Sequence, residues 1–171
     1  MRDGVNEMTY SIIGILASIV LVIINQDVLL KHDGQILTKT QRTYRLFLMG
    51  VLAYLITDLL WGILYSHHLI ALLFADTSIH FVAMVGAVML WTQYVVSYLS
   101  TDSTYERVLK VAGRVFFAFE LIFVGVNFFK PVLFCFDEHG VYQAGIARYV
   151  TLGIQLIMFL ATAVYTLFIA S

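Results

Sequence analysis

Two ionisable side chains, Asp58 and Glu120, stand inside long apolar stretches of this sequence. A charged group at the centre of a bilayer costs roughly 2.5 to 3.5 kcal/mol on insertion scales, so each asks for a partner or a function. Asp58 shares its stretch with Tyr54, Trp61 and Tyr65, at i−4, i+3 and i+7, a spacing that lays all of them along one helical face. Further stretches carry similar stripes. One holds His80, Met84, Ala87, Trp91, Tyr94 and Tyr98, another Phe116, Glu120, Phe123 and Asn127, and the last Arg148, Leu152, Gln155 and Phe159. Aromatic walls with a few convergent polar groups are a common lining for ligand sites between helices. The candidate ligand-binding set is therefore Tyr54, Asp58, Trp61, Tyr65, His80, Trp91, Glu120, Asn127, Arg148 and Gln155. A plainer alternative makes Asp58 and Glu120 hydrogen-bonding glue between helices, with Trp and Tyr near the helix ends forming an interfacial belt.

Other chemistry finds little to stand on. The sequence has no Gly-rich phosphate loop, no Gly-x-Ser-x-Gly elbow and no His-Glu-x-x-His. Asp58 and Glu120 could act as an acid/base pair, but nothing fixes a substrate beside them, so no catalytic residue and no enzyme activity are assigned within these residues. His67, His68, His80 and His139 would favour zinc, copper or nickel, yet adjacent histidines rarely chelate one ion and no Cys/His ligand spacing is present. No metal and no cofactor are expected. Cys135 is the single cysteine, which leaves a half-buried thiol or an intermolecular disulfide.

The elements that must position these residues follow from composition. The chain is 61% hydrophobic and 12% charged, far from the roughly 25% charge of soluble domains. Its net charge of −1 provides no basic surface to gather nucleic acid. A helix needs about 20 apolar residues to cross roughly 30 Å of hydrocarbon, where no water is present to pair its backbone. Five runs qualify, at about 9–30, 44–66, 78–99, 108–129 and 145–170, and with one proline and no repeat they read as a single all-α transmembrane domain over 1–171. The first run is preceded by Met1 to Glu7, which is not net positive, and no A-x-A cleavage site follows, so it is a helix rather than a signal peptide.

Orientation comes from the basic residues. Lys31, Lys39, Arg42 and Arg45 lie between the first two runs, and Arg107, Lys110 and Arg114 follow the third, against Arg2, Lys130 and Arg148 on the opposite side. Short loops rich in Lys and Arg stay cytoplasmic, which puts the amino terminus outside and the carboxyl end inside a multi-pass protein of the cell membrane. On the outer side, His67 to Thr77 reads as a loop. The stretch Lys130 to Gly145, with Pro131 stopping the fourth helix and apolar residues either side of Asp137-Glu138-His139-Gly140, predicts an extracytoplasmic β-hairpin. Asn25 and Asp27 close the first helix, with Lys31 in reach of Asp27. Leu167 to Ser171 carries no anchoring charge, which predicts a chain cut from something longer.

Phe47-Leu48-Met49 to Tyr54, Asp58-Leu59-Leu60-Trp61-Gly62, Leu90-Trp91 with Tyr94 and Tyr98, and the hairpin Leu133 to Gly145 together resemble the multi-pass amino-terminal membrane-associated sensor regions of bacterial signalling proteins. These are chiefly GGDEF diguanylate cyclases and some histidine kinases. The resemblance covers the chain from about Tyr44 onward. It implies a sensor in the bacterial inner membrane that binds a small molecule from outside or within the bilayer, works as a homodimer, and signals to a cytoplasmic cyclase or kinase domain after the last helix. A small transporter or substrate-binding transport subunit, with Glu120 coupling to protons, is the alternative. A scaffold whose helices serve only assembly is the third reading.

Overall fold

A computed structural model of the chain describes residues 2–30, 37–99, 103–137 and 140–170. In chain order these form α1 (Arg2–Ile24), the short α2 (Gln26–Leu29), α3 (Lys39–Ser66), α4 (Ile70–Leu99), α5 (Thr104–Asn127), β1 (Phe134–Phe136), β2 (Tyr142–Ala144) and α6 (Ile146–Ala170). Helices α3, α4 and α6 are long and apolar enough to cross a membrane, which marks a membrane-associated, mostly helical protein. The other two expected spans fall short of that measure for visible reasons. In α5, Lys110, Arg114 and Glu120 interrupt the apolar run, and in α1 the apolar stretch that is described covers Ile13–Ile24.

The centre of the bundle is α4, against which α3, α5, α6 and β1 all pack. Its Phe81, Val85, Val88, Thr92, Val95 and Val96 are buried, at steps of three and four residues that keep one seam turned inward over four turns. Around it sit three clusters: Val85 and Val88 with Phe116 and Met158, then Phe81 with Leu133 and Phe134, then Val96 with Leu109 and Tyr165. Helices α3 and α4 come close where Gly50 faces Ala87, whose Cα would lie 3.5 Å from a side chain added at Gly50. Small residues at such crossings let backbones approach in the absence of a hydrophobic drive between helices in lipid. Helix α1 packs on α3, with Gly14 against Leu59.

Helix ends are set by local chemistry. Thr38 and Gln41 form a reciprocal capping box at the start of α3, the Thr38 hydroxyl accepting from Gln41 N and Gln41 Oε1 accepting from Thr38 N, both at 3.2 Å. Ser103 Oγ accepts from Glu106 N at the start of α5. Between α1 and α2 the Asn25 side chain donates back to Leu21 O and accepts from the Tyr44 hydroxyl at 2.6 Å, tying the break in this helix to α3. The pairing of Asp27 with Lys31 involves a residue outside those described.

One expectation is corrected. The stretch 67–77 is not a loop: α4 begins at Ile70, eight residues before the expected start at Ser78, and only His67, His68 and Leu69 make the turn, with His68 at φ 55°. The polar run Asp76-Thr77-Ser78 is buried along α4: Thr77 Oγ1 donates to Leu73 O at 2.7 Å and Ser78 Oγ to Phe74 O at 2.9 Å, while Asp76 Oδ2 is left without a partner. Hydroxyls satisfied by their own helix do not need water.

The expected hairpin is present as an antiparallel pair in register Phe134↔Ala144, Cys135↔Gln143 and Phe136↔Tyr142. Gly140, at φ +76°, supplies the left-handed turn residue, and its N–H donates to Asp137 O at 2.9 Å. Glu138 and His139 lie outside the described residues. The buried Leu133 and Phe134 seat the hairpin on Phe81 and Phe123 across the ends of α4 and α5. Cys135 is a free, partly buried thiol beside Gln143.

Candidate functional site

Helices α3 and α6 both pack on or beside α4 but stand apart from one another, and the space between them is a cleft floored by α4. Its upper chamber, about 330 Å³, lies at the hairpin end. Tyr54, Asp58 and Trp61 of α3 form one wall, Thr77, His80, Phe81 and Met84 the floor, and Arg148 and Leu152 of α6 the other wall, with Tyr142 of β2 as the cap. A deeper chamber of about 490 Å³ continues from it, the two sharing Tyr54, Met84 and Leu152. Phe47, Val51, Ala87, Val88, Leu156 and Phe159 make it apolar, and Gln155 is its one amide.

The upper chamber is where the charges are. His80 stacks against Tyr54 with ring centroids 4.7 Å apart, and its Nδ1 lies 3.0 Å from Thr57 Oγ1. It sits in the fields of both Asp58 and Arg148. Arg148 is positioned by the hairpin: Nη1 donates to the Tyr142 hydroxyl at 3.2 Å, and the guanidinium lies 5.2 Å from the Tyr142 ring centroid. Burial raises the Tyr142 hydroxyl above its usual pKa of 10.0, while the Arg148 charge pulls the other way. Asp58 makes no hydrogen bond or ion pair among the described residues, so its carboxylate and the Arg148 guanidinium face the cavity from opposite walls. Asp76, one turn before His80, is 6% exposed and its Oδ2 has no partner.

Of the residues singled out in the sequence, Tyr54, Asp58, Trp61, His80 and Arg148 meet in the upper chamber and Gln155 lines the deeper one. Tyr65 supports the site from behind, stacked on Trp61 at 5.1 Å and 8°. The remaining candidates lie elsewhere. Trp91 Nε1 donates to Thr162 Oγ1 at 3.1 Å, closing α4 against α6 below the cleft. Glu120 is fully buried in α5 and accepts from Thr151 of α6 at 2.7 Å. Asn127 is a brace: its Oδ1 accepts from Leu133 N and Phe134 N, and its Nδ2 donates to Phe134 O.

Tyr142 and Asp76 escaped the sequence reading. Asp76 carried a signal, since it lies four residues before His80 and shares its helical face. Tyr142 carried none, being delivered by a three-residue strand too short to show a period. Among the described residues no group of three His, Cys, Asp or Glu side chains is arranged to hold a metal ion. No protein-family model, curated protein or solved structure matches the chain.

Proposed function

We propose that this chain is a multi-pass receptor module that crosses the cell membrane five times, amino terminus outside and carboxyl end in the cytoplasm, and binds a small molecule in the cleft between α3, α4 and α6. The observation that carries the reading is the meeting of three separate polar and aromatic stripes around one cavity, with opposite charges on its two walls. Packing alone would have left those stripes against one another.

The topology rests on the ten basic residues, seven of which flank the connections from α2 to α3 and from α4 to α5. Helix α5 fits a span despite its charges, because Arg107 and Lys110 lie in its first turns, the exposed Arg114 can reach back along the helix toward the headgroups, and Glu120 is turned inward. With that orientation the hairpin and the upper chamber face the outside.

Signalling would run through α6. It forms one wall of the cleft and is tied to the bundle by a few discrete contacts, Glu120 to Thr151, Trp91 to Thr162 and Glu106 to Tyr165. A ligand that bridges α3 and α6 favours one placement of α6 by its differential affinity for the two placements. The resemblance to bacterial sensor regions adds a homodimer and a cytoplasmic diguanylate cyclase or histidine kinase as the output.

Native mass spectrometry of the chain extracted from its own membrane in mild detergent tests the cleft. A bound small-molecule mass is expected, and it should vanish in Met84→Trp, which fills the floor shared by both chambers. A wild-type protein that carries nothing, or a filled variant that keeps the ligand, sinks the reading. A transport reading draws on Glu120, a fully buried carboxyl with Oε1 unpartnered, as a proton-coupling group. Substrate flux in proteoliposomes that Glu120→Gln abolishes would favour it.

A further inference from the structure

The cleft has two chemically different ends, and their order matches that of an amphiphile standing in the outer leaflet. The end nearest the hairpin holds Asp58 on one wall and Arg148 on the other, with no bond between them. The inner end is lined by aliphatic and aromatic side chains with the single amide of Gln155 among them. Together they run along α4 from Thr77 to Val88, roughly 16 Å at about 1.5 Å per residue. Because α3 and α6 do not close over α4, the cleft opens sideways, along the path by which a lipid-like molecule would enter.

We propose that the cleft takes a single-chain amphiphile whose headgroup carries an ammonium and an acidic group together, the ammonium on Asp58, the acidic group on Arg148 and the chain in the deeper chamber. The identification rests on the receptor reading above and specifies its ligand. Tyr54 and Trp61 stand at i−4 and i+3 of Asp58, so a cation held by that carboxylate also meets aromatic faces, the surroundings that suit an alkylated ammonium. Arg148 spends one N–H on Tyr142 and keeps the others for a planar or tetrahedral acid. His80 forms the floor between the two charged walls, its Nδ1 3.0 Å from Thr57 Oγ1. A ligand with one charge would leave its counterpart facing a low-dielectric cavity unpaired, which is why both are required.

The test measures the melting temperature of the full chain in a neutral maltoside detergent against added lipid, since a ligand that binds only the folded state raises it in a saturable way. The probes share one acyl chain: a lysophosphatidylcholine, a lysophosphatidic acid without the ammonium, and a monoacylglycerol without either charge. Free phosphocholine is the chainless arm. The lysophosphatidylcholine is expected to saturate at a concentration about tenfold or more below the other two chains, with phosphocholine alone inactive, and Asp58→Asn and Arg148→Gln should each remove about tenfold of that preference.

Equal response to all three chains overturns the headgroup assignment, as does an Asp58→Asn variant that keeps the full preference. Free phosphocholine acting as strongly as the lysolipid overturns the amphiphile and points to a water-soluble zwitterion. No response to any probe also overturns the proposal. The native mass measurement then separates the two ideas: an endogenous mass lost in Met84→Trp preserves the receptor, and no mass removes both. The probe series on unaltered protein stands even where a variant fails to fold.

Discussion

Thr151 of α6 donates a 2.7 Å hydrogen bond to Glu120 of α5 in a fully buried setting, and the second carboxyl oxygen, Oε1, has no partner. Helices α5 and α6 are thus joined by a contact that is only half satisfied. Removing one partner of a buried polar pair leaves the other desolvated, whereas removing both can be nearly neutral. Thr151→Val should therefore lower stability by roughly 1 kcal/mol, a size typical of interhelical hydrogen bonds in membranes. The double variant Glu120→Leu with Thr151→Val should recover most of that loss. Thermal unfolding in one detergent decides it; a double variant less stable than Thr151→Val alone refutes the account.

Asn127 places a larger load on one side chain. Its amide satisfies two backbone N–H groups and one carbonyl at the base of the hairpin, all buried. Asn127→Ala strands those groups at a cost of about 1–3 kcal/mol for each buried group left unpaired, so the hairpin should detach before the bundle melts. Hydrogen exchange at Leu133 and Phe134 should accelerate strongly while exchange in α4 stays slow. Uniform acceleration through α4 would show that the hairpin is not a separable cap. Detachment also withdraws Tyr142 from Arg148, so on the receptor reading the variant should weaken ligand binding while the α3 wall of Tyr54, Asp58 and Trp61 stays in place.

Gly145 joins β2 to α6 at a point where an added Cβ would overlap the Val132 carbonyl. Gly145 N also donates to Leu133 O at 2.8 Å, so the backbone there cannot back away without losing a bond. Gly145→Ala is expected to disrupt the hairpin. Gly125 and Gly153 have open space around the same position, and replacing either by Ala in its helix should stabilise by about 0.5–1 kcal/mol. Melting temperatures of the three variants should fall on opposite sides of the wild type; a Gly145→Ala protein as stable as the parent contradicts the packing.

The stripe through Tyr54, Asp58 and Trp61, and those through His80 and Arg148, were legible in the sequence because helical periodicity fixes which residues share a face. Periodicity says nothing of the direction in which that face points once helices pack. The stripe of Glu120 and Asn127 looked the same in the sequence, yet these residues bind Thr151 and the hairpin base, and neither lines the cleft. The start of α4 was hidden because Asp76, Thr77 and Ser78 have the composition of a loop, and only the bonds from Thr77 and Ser78 to their own helix make burial of those two hydroxyls tolerable. The hairpin was visible from its Gly140 turn, but its role as the cap of the cleft depends on Tyr142 reaching Arg148.

Tyr142 is the group outside the helices whose titration reports on that cap. Burial favours its neutral form, so the cap contributes fully below the usual pKa of 10.0 and weakens as pH rises above it. The Arg148 charge opposes this shift, and Arg148→Gln should therefore raise the tyrosine pKa further. Tyrosinate absorbance titrations, with Tyr142→Phe as the reference to subtract, measure the change. A fall in pKa on removing Arg148 would mean the two side chains are not in contact.

The lower end of the cleft closes where Trp91 Nε1 donates to Thr162 Oγ1, and Thr162 in turn donates to Phe159 O. Above this contact α3 and α6 are separated by the two chambers, and on the receptor reading it is the pivot about which α6 swings against its remaining tie from Thr151 to Glu120. Thr162→Val keeps the shape and removes the acceptor, leaving the indole N–H unpaired and the pivot loose. Spin labels at Ile56→Cys and Ile157→Cys, with Cys135→Ala to avoid a third label, read the separation of the walls from two exposed positions that line neither chamber. The parent should give one narrow distance distribution, and Thr162→Val a broader one that, if the proposed headgroup assignment holds, narrows again on adding lysophosphatidylcholine. Identical distributions in parent and variant would show that α6 does not turn about Trp91, and the route proposed for the signal along α6 would fail with it.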